Sequence, residues 1–219
     1  MTYPAISRID GPESFRTQFG ISRETLARFE TYAALLTRWQ KTINLVAPST
    51  VGDVWHRHFA DSAQLMRYAP NGATRWLDLG SGAGFPGLVL AILAAERGGQ
   101  RHTLIESDTR KAAFLREVAR ETGVAVEIVT ARIELAETAA KVGEINCVTA
   151  RALAPLPRLA TWVAPYFGSS TVGLFLKGRD VAAELDEARR EWDFDFQLLP
   201  SVTDEAARVV RMSGLRAKL

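Results

Sequence analysis

Two hundred and nineteen residues, 47% of them apolar, can build one domain with a sizeable core, and ten Phe with five Trp exclude a disordered chain. Twenty-seven basic against twenty-five acidic residues leave a charge of +2, which excludes a protein that coats a polyanion by bulk charge alone. The single cysteine, Cys147, excludes a disulfide framework and any multi-cysteine metal site.

The first element expected is an amphipathic helix from Ser22, a good N-cap, to about Gln40, with Leu26, Phe29, Ala33, Leu36 and Trp39 on one face. A second helix is expected from Val51 to Tyr68, closed by Ala69-Pro70-Asn71-Gly72. After Gly72 strands and helices alternate. Strands are expected at Arg75–Leu79, His102–Ile105, Val124–Val129, Ile145–Ala150 and Thr171–Leu176, then at Phe194–Leu199 and Ala207–Met212. Helices fall at Pro86–Glu96, Thr109–Thr122 (capped by Asp108, ended by Gly123), Leu156–Tyr166 and Val181–Trp192. Such alternation specifies a doubly wound, mostly parallel seven-stranded sheet, a Rossmann-like α/β fold with an N-terminal helical extension. The extension is expected over 1–72 and the sheet domain over 73–219. The longest unbroken apolar run, Leu88–Ala95, is far shorter than the roughly 20 residues of a membrane span. With no apolar signal region near the start, the expected location is the cytoplasm.

The segment from Leu77 to Gly87 (Leu-Asp-Leu-Gly-Ser-Gly-Ala-Gly-Phe-Pro-Gly) is the most informative. Glycines at 80, 82 and 84 directly after a strand let the backbone turn sharply and approach a ligand with no Cβ in the way. Glu106 ends the neighbouring strand, where a carboxylate reaches ribose hydroxyls. Gly82 to Gly87 literally matches the dinucleotide fingerprint, so a nicotinamide-dependent oxidoreductase is the competing reading. Asp78 argues against it, because a carboxylate at the strand end repels a pyrophosphate and favours a cationic sulfonium or ammonium group. The expected cofactor is therefore S-adenosylmethionine, with Asp78, Gly80, Gly82 and Glu106 around it.

The loop 77–87, Ile105-Glu106-Ser107 to Phe114-Leu115, Ala131-Arg132-Ile133-Glu134 and Thr149-Ala150-Arg151-Ala152 together resemble the RsmG family, also called glucose-inhibited division protein B. Trp39, Asn44-Leu45-Val46 and His58-Phe59-Ala60-Asp61-Ser62 agree with it. The resemblance covers roughly residues 25 to 180. It implies a class I methyltransferase fold and transfer of a methyl group from S-adenosylmethionine to N7 of a guanine in the 530 loop of 16S ribosomal RNA. It also implies methyl-donor contacts at Gly80, Phe85, Ile133, Glu134 and Arg151. The chain lacks the Lys-, Pro- and Gly-Thr-Pro-rich tail common in that family.

The absences fit this chemistry. The loop after the fourth strand, Arg151 to Pro157, has no Asn/Asp-Pro-Pro-aromatic motif for an exocyclic amine. Cys147 lies inside an apolar strand and reads as an inert core thiol rather than a pyrimidine nucleophile. Guanine N7 has an in-plane lone pair and no proton to remove, so the reaction needs no general base and no catalytic residue is assigned, with Arg151 in a positioning role. Other RNA or small-molecule acceptors are equally compatible with those absences. From Ile145 to Arg179 there is no Asp or Glu but Arg151, Arg158, Lys177 and Arg179, which makes Arg158, Lys177 and Arg179 candidate contacts to the RNA backbone. His56 and His58 are two apart on a helix and point in different directions, so no metal is expected. A single chain acting on 16S ribosomal RNA or the small subunit, away from membranes, is the expected working form.

Overall fold

Residues 8–218 are described in this computed structural model; the first seven residues of the expected extension, and residue 219, lie outside them. The strands are β1 (Arg75–Leu79), β2 (Arg101–Glu106), β3 (Glu127–Thr130), β4 (Cys147–Arg151), β5 (Val172–Lys177), β6 (Trp192–Pro200) and β7 (Arg208–Ala217). They form one seven-stranded sheet in the order β3-β2-β1-β4-β5-β7-β6, with β7 antiparallel to both neighbours and the other pairings parallel. Successive connections run outward from β1 in one direction and from β4 in the other, so the switch point lies between β1 and β4. Ligands of open α/β sheets bind at the carboxyl ends of the strands at such a point. Asp78, Glu106 and Arg151 all stand at that edge.

Between the strands run α4 (Gly87–Ala95), α5 (Thr109–Thr122), α6 (Ala136–Val142), α7 (Leu156–Val163) and α8 (Val181–Glu191). Helix α5 starts and stops where its caps dictate: Asp108 accepts hydrogen bonds from the Arg110 and Lys111 amides, and Gly123 closes it in the left-handed region. The same closure takes Val124, whose amide bonds Ala119 O, so β3 begins at Glu127 rather than at Val124. Helix α4 is buried along nearly all its length, which is why its sequence is one apolar run.

The N-terminal segment is helical, but not as two helices. Helix α1 (Pro12–Phe19) precedes α2 (Arg23–Trp39); its signals are Pro12 in the first turn and Phe15 and Phe19 at i, i+4, with ring centroids 4.7 Å apart. Ser22 caps α2 by accepting from the Thr25 amide. The single helix expected over 51–68 is instead a 3-10 turn (Pro48–Asp53), a π-helical stretch (Trp55–Ala60), one α turn, α3 (Asp61–Ala63), and a second 3-10 turn (Gln64–Arg67). The π stretch lets Trp55 and Phe59 pack on Phe15 and Phe29 while His58 and Asp61 turn towards the sheet's carboxyl edge. A single buried cluster then joins α1 and α2 to α4 and α5, through Phe15, Phe29, Tyr32, Phe59, Phe85, Leu88 and Phe114.

Candidate active site

The turn after β1 is held from three sides. Gly80, Gly82 and Gly84 take φ of 62°, 56° and 92°, and Gly84 N–H donates to Ser81 O at 2.7 Å. From β2, Glu106 accepts from Gly82 N–H at 2.7 Å with one oxygen and from Asp108 N–H at 2.8 Å with the other. From α2, the Tyr32 hydroxyl donates to Ala83 O. A side chain at Gly84 would strike that hydroxyl and would lie 2.9 Å from Leu88 Cβ, whereas one at Gly82 would meet nothing closer than 3.8 Å. The turn is thus closed towards the core at Gly84 and open at Gly82. Gly84→Ala, which adds a collision to a positive φ, is expected to lower stability by about 2 kcal/mol; thermal unfolding of the variant beside the parent chain reads it.

Asp78 lies beneath this turn, 2% exposed. Its Oδ1 accepts from the Thr149 hydroxyl at 2.7 Å, and its Oδ2 is buried without a hydrogen-bond partner. Burial pushes this carboxyl up to about 6, against the opposing pull of Thr149, then Ser81, the Gly87 backbone and the more distant Arg151. An unpartnered buried carboxylate oxygen beside an open glycine turn is what a cationic ligand would complete.

Arg151, at the end of β4, reaches towards the helical segment. Its guanidinium donates to Arg57 O at 3.0 Å and His58 Nδ1 at 2.9 Å, and pairs with Asp61 Oδ2 at 3.3 Å. It also lies over the Phe85 ring, 4.9 Å from the centroid. His58 is held neutral: burial, then Arg151 and Arg57, push it down to about 3, and its other nitrogen faces the Thr50 hydroxyl at 2.8 Å. Asp61 in turn accepts from Thr203 at 2.9 Å, which ties the β6–β7 connection to the same network. Ala152, next to Arg151, has φ 51°, a strained conformation for a residue with a Cβ. These groups line a cleft of about 540 Å³ that runs from Thr50 and Arg57 past Asp61 and Arg151 to Lys177 and Asp204.

The other expected site residues fall in varied places. Phe85 is 4% exposed and sandwiched, stacking on Tyr32 at 5.5 Å and on His58 at 4.8 Å, so its ring braces the loop and only its backbone can touch a ligand. Ile133 is buried in the core on the α7 side, and its carbonyl accepts from Tyr166; the neighbouring Glu134 is exposed and paired with Arg132. Lys177 is not a free cation, because it donates to Ala154 O at 3.0 Å and pairs with Glu184 at 2.5 Å, its side chain only 10% exposed. Arg179 is exposed beyond β5, and Arg158 is exposed on α7 over Trp162. His56 bonds the Ile9 amide and Thr203 O, so the two histidines serve different contacts. Among the described residues no His, Cys, Asp and Glu group has a metal-holding arrangement, and no helix is long and apolar enough to cross a membrane. Tyr32, Thr203 and Asp204 were not signalled by sequence spacing. A tyrosine inside an apolar helix face was the one available sign, since a buried phenol requires an acceptor.

A seven-stranded sheet with one antiparallel strand, β7, and a glycine turn after β1 define a class I methyltransferase-like fold. Solved structures share it at low identity. They include a methyltransferase of Podospora anserina (TM-score 0.57, 13% identity, 96% of this chain and 99% of that one) and a ribosomal protein L11 methylase of Lactobacillus delbrueckii (TM-score 0.53, 15%, 69% and 76%). Within that class the chain belongs to the family described as GidB, rRNA small subunit methyltransferase G, whose profile matches residues 25–209. It is 51% identical over 203 residues to Ribosomal RNA small subunit methyltransferase G of Parvibaculum lavamentivorans, covering 93% of this chain and 89% of that one. It is 54% identical over 195 residues to that of Methylorubrum extorquens strain PA1, covering 89% and 91%.

Proposed function

We propose that this chain transfers a methyl group from S-adenosylmethionine to N7 of a guanine in the 530 loop of 16S ribosomal RNA. The observation that carries the reading is the unpartnered buried Asp78 carboxylate under a glycine turn, in a chain of this family. S-adenosylmethionine supplies an electrophilic methyl on a positively charged sulfur. Asp78 provides the negative field for a cationic ligand; Gly82 lets the backbone approach it, while Gly80, where a side chain would strike Leu153, lets the turn form; and Glu106, already fixed by two amides, has lone pairs left for ribose hydroxyls. Ile133 and Glu134, beyond β3, supply an apolar edge and an acceptor for the adenine. A nicotinamide dinucleotide fits less well, because its pyrophosphate would meet Asp78.

The cleft beside Arg151 is the acceptor side of this reading. Guanine N7 attacks without a base, so the protein has only to align the reactants, and orientation alone can be worth several kcal/mol. A guanidinium beside the turn suits guanine O6, next to N7, and the exposed Arg179, next to Gly178 of the cleft wall, and Arg158 on α7 are the cations offered to an RNA backbone. Lys177 shapes that wall through Glu184 and Ala154 rather than meeting phosphate directly. The test is site mapping of N7-methylguanine in ribosomal RNA from cells lacking the chain. Loss of the mark in the 530 loop, restored by the parent gene, is the expected result; persistence of the mark would end the proposal.

A further inference from the structure

The helical segment before the sheet contributes one polar contact to the glycine turn, and it comes from an unexpected residue. Tyr32, 0% exposed on α2, donates its hydroxyl to Ala83 O and stacks its ring 5.5 Å from Phe85 at an interplanar angle of 12°. Its phenol has no other hydrogen bond among the described residues, and burial pushes its titration well above the usual tyrosine range, so it remains a donor at any physiological pH.

The stretch it holds has little stiffness of its own. Ala83 stands between Gly82 and Gly84, both at positive φ, and glycine passes freely between backbone basins. The peptide joining Ala83 to Gly84 can therefore flip unless hydrogen bonds fix it. Three contacts do so: Glu106 holds the Gly82 amide, Ser81 O takes the Gly84 amide, and Tyr32 takes the Ala83 carbonyl. The first two restrain N–H groups. Of the three, only Tyr32 holds the carbonyl of the Ala83–Gly84 peptide, and it does so from outside the sheet domain. Gly84 conforms to the same contact, since a side chain there would meet the Tyr32 hydroxyl.

We propose that Tyr32 is a positioning residue for the methyl-donor site: its hydroxyl locks the Ala83–Gly84 peptide so that the turn is ordered before the ligand arrives. It touches neither ligand nor reacting atoms. A turn that samples several conformations binds more weakly by the fraction of time spent in the competent one, with no contact to the ligand lost. This inference rests on the methyl-donor reading given above.

The test is Tyr32→Phe in the full chain, an isosteric change that keeps the ring stack. S-adenosylhomocysteine is titrated calorimetrically, thermal midpoints are recorded, and KM values are measured for S-adenosylmethionine and for RNA. Leu36→Ala, a buried position one turn further along α2, serves as a control that loosens the same helix without touching the turn. The expected result for Tyr32→Phe is about tenfold weaker binding of S-adenosylhomocysteine and a similar rise in KM for S-adenosylmethionine, with KM for RNA within twofold of the parent. Leu36→Ala is expected to lower the midpoint at least as far and to leave S-adenosylhomocysteine affinity within twofold. Parent-like affinity in Tyr32→Phe would overturn the proposal, as would an equal loss in Leu36→Ala, which would reduce Tyr32 to a packing role. Failure of the parent chain itself to bind S-adenosylhomocysteine would instead refute the methyl-donor reading, and this inference with it.

Discussion

Asp78→Asn is expected to make the protein more stable at neutral pH and unable to hold its methyl donor. The folded chain titrates this carboxyl near 6 against an ordinary value of 3.8, because burial disfavours the charged form. A raised folded-state value means that the folded chain binds the proton more tightly than the unfolded one. The stability that this group contributes is therefore fully present below about pH 4 and lost as pH rises through 6. The difference corresponds to about 3 kcal/mol, an upper bound on what removing the charge can return at pH 7. The asparagine keeps an oxygen for the Thr149 hydroxyl and has no charge to desolvate. The variant is expected to melt about 5 °C higher at pH 7, with the advantage shrinking towards pH 4. His58 has the opposite sign: held down at about 3, it stabilises above pH 6.5 and weakens the fold as pH falls. Its contribution cancels in the parent-minus-variant difference, so that difference isolates Asp78. S-adenosylhomocysteine affinity is expected to fall about a hundredfold, as for loss of a desolvated charge partner. Thermal melts from pH 4 to 8 and calorimetry read both effects. A stability difference that stays flat with pH would show that Asp78 is not a buried charge awaiting its counterpart.

What the sequence made legible is what short stretches of chain decide for themselves. Ser22 and Asp108 cap their helices with their own side chains, and Gly123 stops α5 by its left-handed backbone. The turn after β1 follows from glycines spaced two apart, and the strand order puts Asp78, Glu106 and Arg151 on one edge. Contacts between distant segments were not legible. Lys177 looked like a free cation because Glu184, which neutralises it, lies seven residues on, in a helix packed against the strand end. The 51–68 run reads as one helix closed by Ala69-Pro70-Asn71-Gly72; the π stretch arises from fitting Trp55 and Phe59 among rings of α1 and α2. Phe85 looked like a ligand-facing ring, and its burial depends on Tyr32, 53 residues earlier. Function concentrates at that same boundary between local and non-local. The glycine turn is written locally, and its rigidity comes from Glu106 on one side and Tyr32 on the other.

Arg151→Met is expected to separate the two halves of the site. Methionine retains an apolar chain over the Phe85 face and removes the fork that joins Arg57 O, Asp61 and His58. Asp61 keeps Gln64 and Thr203, so one of its oxygens remains satisfied while the other faces the cleft alone. The pair is partly open to solvent, so the stability loss is expected to be about 2 kcal/mol rather than that of a fully buried ion pair. With the guanidinium gone, His58 loses the larger of the two charges that depress it, and its titration should move up from about 3 although burial still holds it below 6.5. That shift can be read from its ring protons by NMR and reports on the cleft without any substrate. In methylation assays kcat/KM for RNA is expected to fall about a hundredfold, since a misplaced acceptor forfeits orientation that the turn cannot supply. S-adenosylhomocysteine affinity should change by no more than about threefold, because the guanidinium directs its hydrogen bonds to Arg57 O, Asp61 and His58 in the helical segment and donates none to the glycine turn. Should that affinity collapse together with turnover, Arg151 would belong to the methyl-donor pocket, as the family resemblance assigns it, and the acceptor would have to be placed elsewhere along the cleft.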